Sequence, residues 1–288
     1  MTKYVHLLTK IHIHPILWMI IGLSVITAQF KPLLFLFLIV FIHEMGHAIC
    51  AVFYKWRIKQ IMLLPFGGVA EMDEHGNRPL KEEVIVILAG PVQHFFIQAL
   101  LTIAWQFHVL STEDYQLFST YNWTLFFFNL IPIFPLDGGK ILFVIISYLK
   151  PFSEAQRITL LVSISCLIVY ITAFLIFAPN QLNVWIIATF LIYSLYTEFK
   201  QKDYTMIRFL LERYYGKKES VHQLKPIIVN EDESIFKVLL KFQRGCKHPI
   251  LIEKEGVKIT QLDENELLHA FFSEKRTNAT VGELIYSY

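Results

Sequence analysis

Charge is what this chain has least of. Asp, Glu, Lys and Arg make up 17% of its 288 residues, 55% are hydrophobic, and the mean hydropathy is +0.47. A soluble domain carries about 25% charged residues, so a water-soluble molecule is excluded and a membrane protein is expected. Cysteine is scarce too. Cys50, Cys166 and Cys246 lie far apart with no CxxC pair, which argues against a thiolate metal site and fits a reducing, cytosolic side. A net charge of +2 gives no field for nucleic acid, and no such partner is expected. No cleavable signal is evident, and the first apolar segment reads as a retained span.

The few charges are unevenly placed. Residues 201–288 hold 14 Lys/Arg and 13 Asp/Glu, 27 of the chain's 50 charged residues. The expected organisation is therefore a multi-pass α-helical membrane domain over 1–200, a linker over 201–222 and a small cytosolic α/β domain over 223–288. Six spans can be drawn, at 15–28, 32–54, 84–108, 123–148, 158–177 and 184–199. A crossing helix needs about 20 residues, so the first is short. Lys3, Lys10, Lys55, Arg57, Lys59, Arg78, Lys81, Lys150 and Arg157 share one side with the basic tail, while the opposite loops hold only Lys31. The positive-inside rule then puts both termini in the cytoplasm.

Within the second span stands His43-Glu44-Met45-Gly46-His47. Helix geometry sets residues i and i+4 on one face. Two imidazoles can therefore share a metal while the Glu beside the first serves as general base. Ionisable groups inside a membrane span are costly, and they mark function by default. A catalytic zinc normally takes three protein ligands. The candidate third ligand is Asp137, the only carboxylate between Trp123 and Lys150, in Asn129-Leu-Ile-Pro-Ile-Phe-Pro-Leu-Asp137-Gly-Gly139. Pro132, Pro135, Gly138 and Gly139 would interrupt the fourth span around it. The alternative is a solvated turn with Asp137 as a helix N-cap. Between the second and third spans, residues 61–72 are apolar, too short to cross and broken by Pro65, Gly67 and Gly68. An extended segment or re-entrant hairpin is expected there, whose free edge could hold a peptide by strand addition. The alternative is an interfacial loop.

HEMGH in one span with NxxPxxPLDGG in a later one resembles the site-2 protease family of intramembrane zinc metalloproteases. Ala89-Gly90-Pro91 matches a further family element, although Val92-Gln93-His94 follows where relatives often carry an Asn. The likeness covers about the first 200 residues, and the order of elements is most similar to the sporulation branch. The resemblance implies one Zn2+ held by His43, His47 and Asp137, with Glu44 as general base. It also implies Asn129 as a donor to the oxyanion or substrate backbone, and Phe66, Gly67 and Pro135 along the substrate path. It further implies a membrane-associated pro-sigma factor, pro-sigma-K, as substrate, with inhibitory membrane proteins as partners, and a location in the mother-cell side of the membrane around the forespore. His6, His12 and His14 are read as interfacial, and His94 and His108 as serving the polar needs of the third span.

The tail is expected to run strand 226–229, helix 234–242, strand 248–253, strand 256–260, helix 264–272, with 281–285 closing the unit. That order resembles one CBS module, with Thr260 and Asp263 at the places of a nucleotide-facing pair. It implies ATP or another adenine nucleotide and, because a lone module needs a partner, a homo-oligomer. A small docking domain with no ligand is the alternative. At the level of the whole chain, the other readings are a metal-binding transporter or channel, and a hydrolase of small or lipid substrates. Glu44 speaks against the first, since transport needs no general base beside a ligand.

Overall fold

The computed structural model describes residues 10–13, 15–26, 30–64, 67–72, 78–177, 179–215, 223–254 and 257–285. Their elements run β1 (Ile11–Ile13), α1 (Pro15–Ile26), α2 (Phe30–Phe53), β2 (Ile58–Leu64), β3 (Gly67–Met72), α3 (Leu80–Gln106), α4 (Thr112–Asn129), α5 (Asp137–Leu149), α6 (Phe152–Phe177) and α7 (Leu182–Tyr215). The tail adds β4 (Gln223–Leu224), β5 (Ile227–Asn230), α8 (Ile235–Leu239), β6 (Cys246–Lys247), β7 (Ile250–Lys254), β8 (Val257–Leu262), α9 (Glu264–Phe272) and α10 (Val281–Ile285). By their contacts these residues form two units, 1–141 with 166–192 and 142–165 with 193–288.

Among the described residues three helices, α2, α3 and α6, are long and apolar enough to cross a membrane. The 24 residues of α2 rise about 36 Å at 1.5 Å each, more than the hydrocarbon thickness. The other expected spans fall on the 12-residue α1, on the interrupted pair α4–α5, and on the first half of α7. Many outward side chains of the long helices are large and apolar, such as Phe95, Phe96 and Leu100 on α3 and Ile168, Val169 and Ile176 on α6. Such a surface is stable against lipid tails and not against water.

The ends of α2 and α3 are set by left-handed residues. Lys55 has φ 61°, and its N–H reaches the Val52 carbonyl while the Trp56 N–H reaches Ala51. His108 has φ 56° and repeats the pattern, with its own N–H on Trp105 and that of Val109 on Ala104. Both are Schellman closures, which satisfy carbonyls that a helix end leaves open. At the head of α4, Ser111 Oγ accepts the Asp114 N–H at 3.1 Å, an N-cap.

In the first unit α2 packs on α3, and Ile39, Ile97, Leu101 and Phe118 form a core with α4. Small residues let α2 and α3 approach. A Cβ on Gly46 would stand 2.6 Å from the Ala89 carbonyl oxygen, and one on Gly90 would overlap the His47 ring. The expected hairpin forms: β2 pairs antiparallel with β3, from Leu64 opposite Gly67 to Ile58 opposite Met72, and β1 pairs parallel on the other side of β2. The order β1–β2–β3 leaves the outer edge of β3 without a partner strand among the described residues.

In the second unit β5 and β7 are parallel and β7 and β8 antiparallel. The expected strand, helix, strand, strand, helix order is found as β5, α8, β7, β8 and α9, with two short strands, β4 and β6, that were not expected and pair with each other. Val229, Ile250 and Ile252 are buried with Ile235, Val238 and Leu239 of α8 and Leu267 and Leu268 of α9. This core also takes in Phe152, Met206, Phe209 and Leu210, and the Phe152 and Phe209 rings stack with centroids 4.3 Å apart. Each such side chain contributes about 1.5–3 kcal/mol by leaving water. The tail therefore shares its core with the start of α6 and the second half of α7.

Candidate metal centre

The helix periodicity of α2 places His43 and His47 one turn apart on the side that faces α3, their ring centroids 4.8 Å apart and their planes nearly perpendicular at 84°. His47 Nδ1 lies 2.8 Å from the Val86 carbonyl oxygen. A carbonyl only accepts, so Nδ1 carries a proton, and in the neutral ring Nε2 presents a lone pair. That lone pair is 3.1 Å from Asp137 Oδ2 and 3.2 Å from His43 Nε2, and His43 Nε2 is 3.1 Å from the same oxygen. All three side chains are buried.

Asp137 reaches this point because the helical run over residues 112–149 is broken. After α4 ends at Asn129 the chain turns through Ile131, whose N–H reaches Phe128, and through Leu136, whose N–H reaches Ile133. It then restarts as α5 with Asp137 as its first residue. Gly138 and Gly139 allow the restart to lie against the turn: a Cβ on Gly139 would stand 2.7 Å from Ile133 C, and one on Gly138 would overlap Leu130. The second carboxylate oxygen, Oδ1, accepts from Lys140 Nζ at 3.2 Å, which leaves Oδ2 for the histidines. So the turn between two shorter helices exists, but its aspartate is 3% exposed and faces imidazoles.

With both rings neutral and protonated at Nδ1, three acceptor atoms converge in a buried space. A single proton between two of them would leave the third unsatisfied; one cation satisfies all. Ligand atoms about 2.0–2.1 Å from a tetrahedral zinc stand roughly 3.3 Å from one another, close to the 3.1, 3.1 and 3.2 Å seen here. The donor set of two imidazoles and one carboxylate fits zinc. Glu44, next to His43 on α2, is buried as well.

The chain matches the model of peptidase family M50 over residues 32–113 and 110–171. It is 48% identical to the stage IV sporulation protein FB of Bacillus subtilis (strain 168), over the full length of both chains. This chain belongs to the M50, or site-2 protease, family. It is therefore an intramembrane metalloprotease. It is also 37% identical to the zinc metalloprotease MJ0392 of Methanocaldococcus jannaschii, a match that covers 60% of this chain and 56% of that one. The solved site-2 protease from Methanocaldococcus jannaschii superposes with a TM-score of 0.54 at 31% identity, covering 65% of this chain and 89% of that one.

The other expected site residues are distributed as follows. Asn129 is the last residue of α4, half-buried, with no side-chain hydrogen bond among the described residues. Pro135 lies in the turn before α5 and Gly67 opens β3. Phe66 lies outside the described residues, as do His6 and His14, while His12 is exposed on β1. In the tail, Thr260 sits on β8 opposite Ile252. Asp263 precedes α9, takes Lys247 as an ion-pair partner at 2.9 Å, and receives the Glu266 side chain on its own N–H at 3.1 Å.

Two polar neighbours of the site were not assigned to it by the sequence pattern. Lys140 is one. His94 is the other: its Nε2 lies 3.1 Å from His43 Nδ1, and its Nδ1 lies 2.8 Å from Asn122 Oδ1. The signal that could have found His94 is its spacing. It stands four residues after Gly90, on the same helix face, and Gly90 is the residue that abuts His47.

Proposed function

We propose that this site-2 protease cuts a membrane-associated precursor within or near the bilayer, and that the precursor is a pro-sigma factor, pro-sigma-K, released during sporulation. The observation that carries the reading is the buried convergence of His43 Nε2, His47 Nε2 and Asp137 Oδ2 beside Glu44; the full-length likeness to a sporulation protein supports the substrate. His43, His47 and Asp137 would hold the zinc. When bound, zinc supplies a Lewis acid and lowers the pKa of bound water to about 7. Glu44 takes a proton from the attacking water and returns it to the leaving amine. Asn129 donates to the developing oxyanion. The free edge of β3, which begins at Gly67, takes the substrate in extended form, and Pro135 lies along its path.

The same reading has six spans, a linker over 201–222 and a CBS-like domain over 223–288, with both termini cytoplasmic as the basic loops require. Labelling intact cells with an impermeant thiol reagent checks this: a single cysteine at Glu113 should react from outside, and one at Gly139 should not. The module-like order of the tail supports an adenine nucleotide at Thr260 and Asp263 and pairing of tails in a homo-oligomer. Asp263 would have to release Lys247 to take part; absence of ATP binding to the full chain in equilibrium dialysis would remove this element. Inhibitory membrane partners are part of the proposal by the same likeness.

The central test is cleavage. The purified zinc-loaded protein in detergent should cut a membrane-tethered sigma-precursor fragment. Glu44→Gln should retain zinc and lose about 10²–10⁴-fold in rate. A rate for Glu44→Gln within about tenfold of the parent would refute the general-base role, and no cleavage by the loaded parent would refute the substrate.

A further inference from the structure

We infer that His94 is a positioning residue for His43, and that Asn122 holds His94 in turn, so that a directed chain of hydrogen bonds aims His43 Nε2 at the metal position. This rests on the metal reading given above.

The direction of the chain can be worked out from its far end. Asn122 Nδ2 is 3.0 Å from the His94 carbonyl oxygen and 3.3 Å from Gln98 Oε1. A backbone carbonyl only accepts, so the amide nitrogen of Asn122 must lie on that side and its oxygen on the other. Asn122 Oδ1 then faces His94 Nδ1 at 2.8 Å, and that nitrogen must carry a proton. In the neutral ring Nε2 is left with a lone pair. It faces His43 Nδ1 at 3.1 Å, which must be the donor. His43 Nε2 is thereby left as a lone pair, directed at Asp137 Oδ2 3.1 Å away.

His47 is brought to the same tautomer in one step by the Val86 carbonyl. His43 needs two steps because its Nδ1 faces α3 at a side chain instead of at a backbone carbonyl. Metal-bound histidines ordinarily give their second N–H to a carboxylate, a carbonyl or water, and that partner fixes tautomer and ring orientation. Here a second imidazole does this task. The arrangement is anchored beyond Asn122: Gln98 Oε1 also accepts from Ser119 Oγ at 3.1 Å, and Gln98 Nε2 donates to Tyr115 at 3.4 Å. His94 and Asn122 are both buried, and Phe126 closes on the His94 ring with centroids 5.8 Å apart.

A residue that merely fills space at this position would behave differently from one that orients a ligand. His94→Leu keeps most of the volume and removes the acceptor. In the full-length protein in detergent, it should weaken zinc binding about 10–100-fold in chelator competition and shift the visible absorption of the cobalt-substituted protein. His94→Gln, whose side-chain oxygen can stand in for Nε2, should recover most of the affinity and the parent cobalt spectrum. Unchanged affinity and spectrum in His94→Leu would overturn the inference, as would a Gln variant as impaired as the Leu variant. If His94→Leu does not fold, Asn122→Ala tests the next link: a smaller loss of zinc affinity supports the chain and no loss overturns it. Failure of the metal reading itself shows separately, as equal zinc uptake by the parent and by His43→Ala.

Discussion

The two units each bury a cluster of histidine, carboxylate and cationic side chains, and the clusters differ in whether their donors and acceptors balance. In the second unit Arg213 on α7 donates to both oxygens of Glu264 and to the carbonyls of Gln243 and Cys246, and lies over the Phe209 and Phe242 rings at 5.8 and 5.2 Å. Glu264 Oε2 also accepts the His248 N–H at 2.9 Å. His248 Nε2 accepts the Gln243 N–H at 2.9 Å, and its Nδ1 donates to the Lys225 carbonyl at 2.8 Å. Each of these donors meets an acceptor. Around Asp137 of the first unit, by contrast, two imidazole nitrogens and a carboxylate oxygen lie 3.1–3.2 Å from one another, and with both rings neutral and protonated at Nδ1 all three are acceptors. Burial of unpaired polar atoms is costly. A cluster that balances itself is explained by folding; one that does not is explained by what it binds.

The comparison can be broken from either side, and the largest effect is expected at the unbalanced cluster. Asp137→Asn keeps the shape and removes the anionic oxygen. Zinc affinity should fall by more than the roughly 10–100-fold loss typical of an outer-shell partner, and proteolysis should fall with it. Zinc content by elemental analysis and turnover on a tethered substrate measure the two. Full zinc retention would mean that the three acceptors are not a metal site, and the contrast between the clusters would collapse.

Much of this contrast was legible in the sequence on one side and little of it on the other. HEMGH and the LDGG turn announce themselves because their spacing is local: i and i+4 on one helix, and prolines and glycines that stop the next. His94, Lys140 and Asn122 act through directions between helices, which no local spacing encodes. The span drawn at 123–148 missed that α4 begins at Thr112, although Ser111 before an acidic first turn is an N-cap signal. At the far end, the composition shift near Phe199 read as a boundary. The backbone of α7 continues to Tyr215, since helix hydrogen bonds are indifferent to side-chain polarity, and Met206, Phe209 and Leu210 beyond it are core. In the tail the element order was readable from strand and turn patterns, whereas the Arg213–Glu264 pair joins positions too far apart in sequence to be matched by eye.

A smaller effect is expected on the balanced side. Arg213→Met removes one partner of a buried pair whose side chains are 14% and 6% exposed. Leaving Glu264 buried and unpaired should cost about 3–5 kcal/mol of local stability. Hydrogen exchange of the β5 and β7 amides should report that loss, while zinc affinity stays at the parent value. A parallel loss of zinc would show that the clusters are not independent; intact protection of β5 and β7 would show that the clasp is ornamental.

The smallest effect sharpens the comparison through pH. Burial pushes the His248 imidazole below its ordinary value of 6.5, and the nearby Arg213 guanidinium adds to this, while the Lys225 carbonyl and Glu264 pull the other way. The folded form therefore prefers neutral His248, the state in which Nε2 can accept the Gln243 N–H. Below pH 6.5 the opened chain binds a proton that the folded chain refuses, so stability rises with pH in this window. The contribution is fully present above about pH 6.5 and is lost as pH falls from there towards the lowered folded-state value, by at most about 1.4 kcal/mol per pH unit for one proton. Exchange protection of β5 and β7, corrected for the intrinsic rate at each pH, should decline across that window in the parent and decline less in His248→Asn. Equal slopes in the two proteins would assign the pH dependence to other groups, and would leave His248 as a satisfied core residue with no linkage to protons.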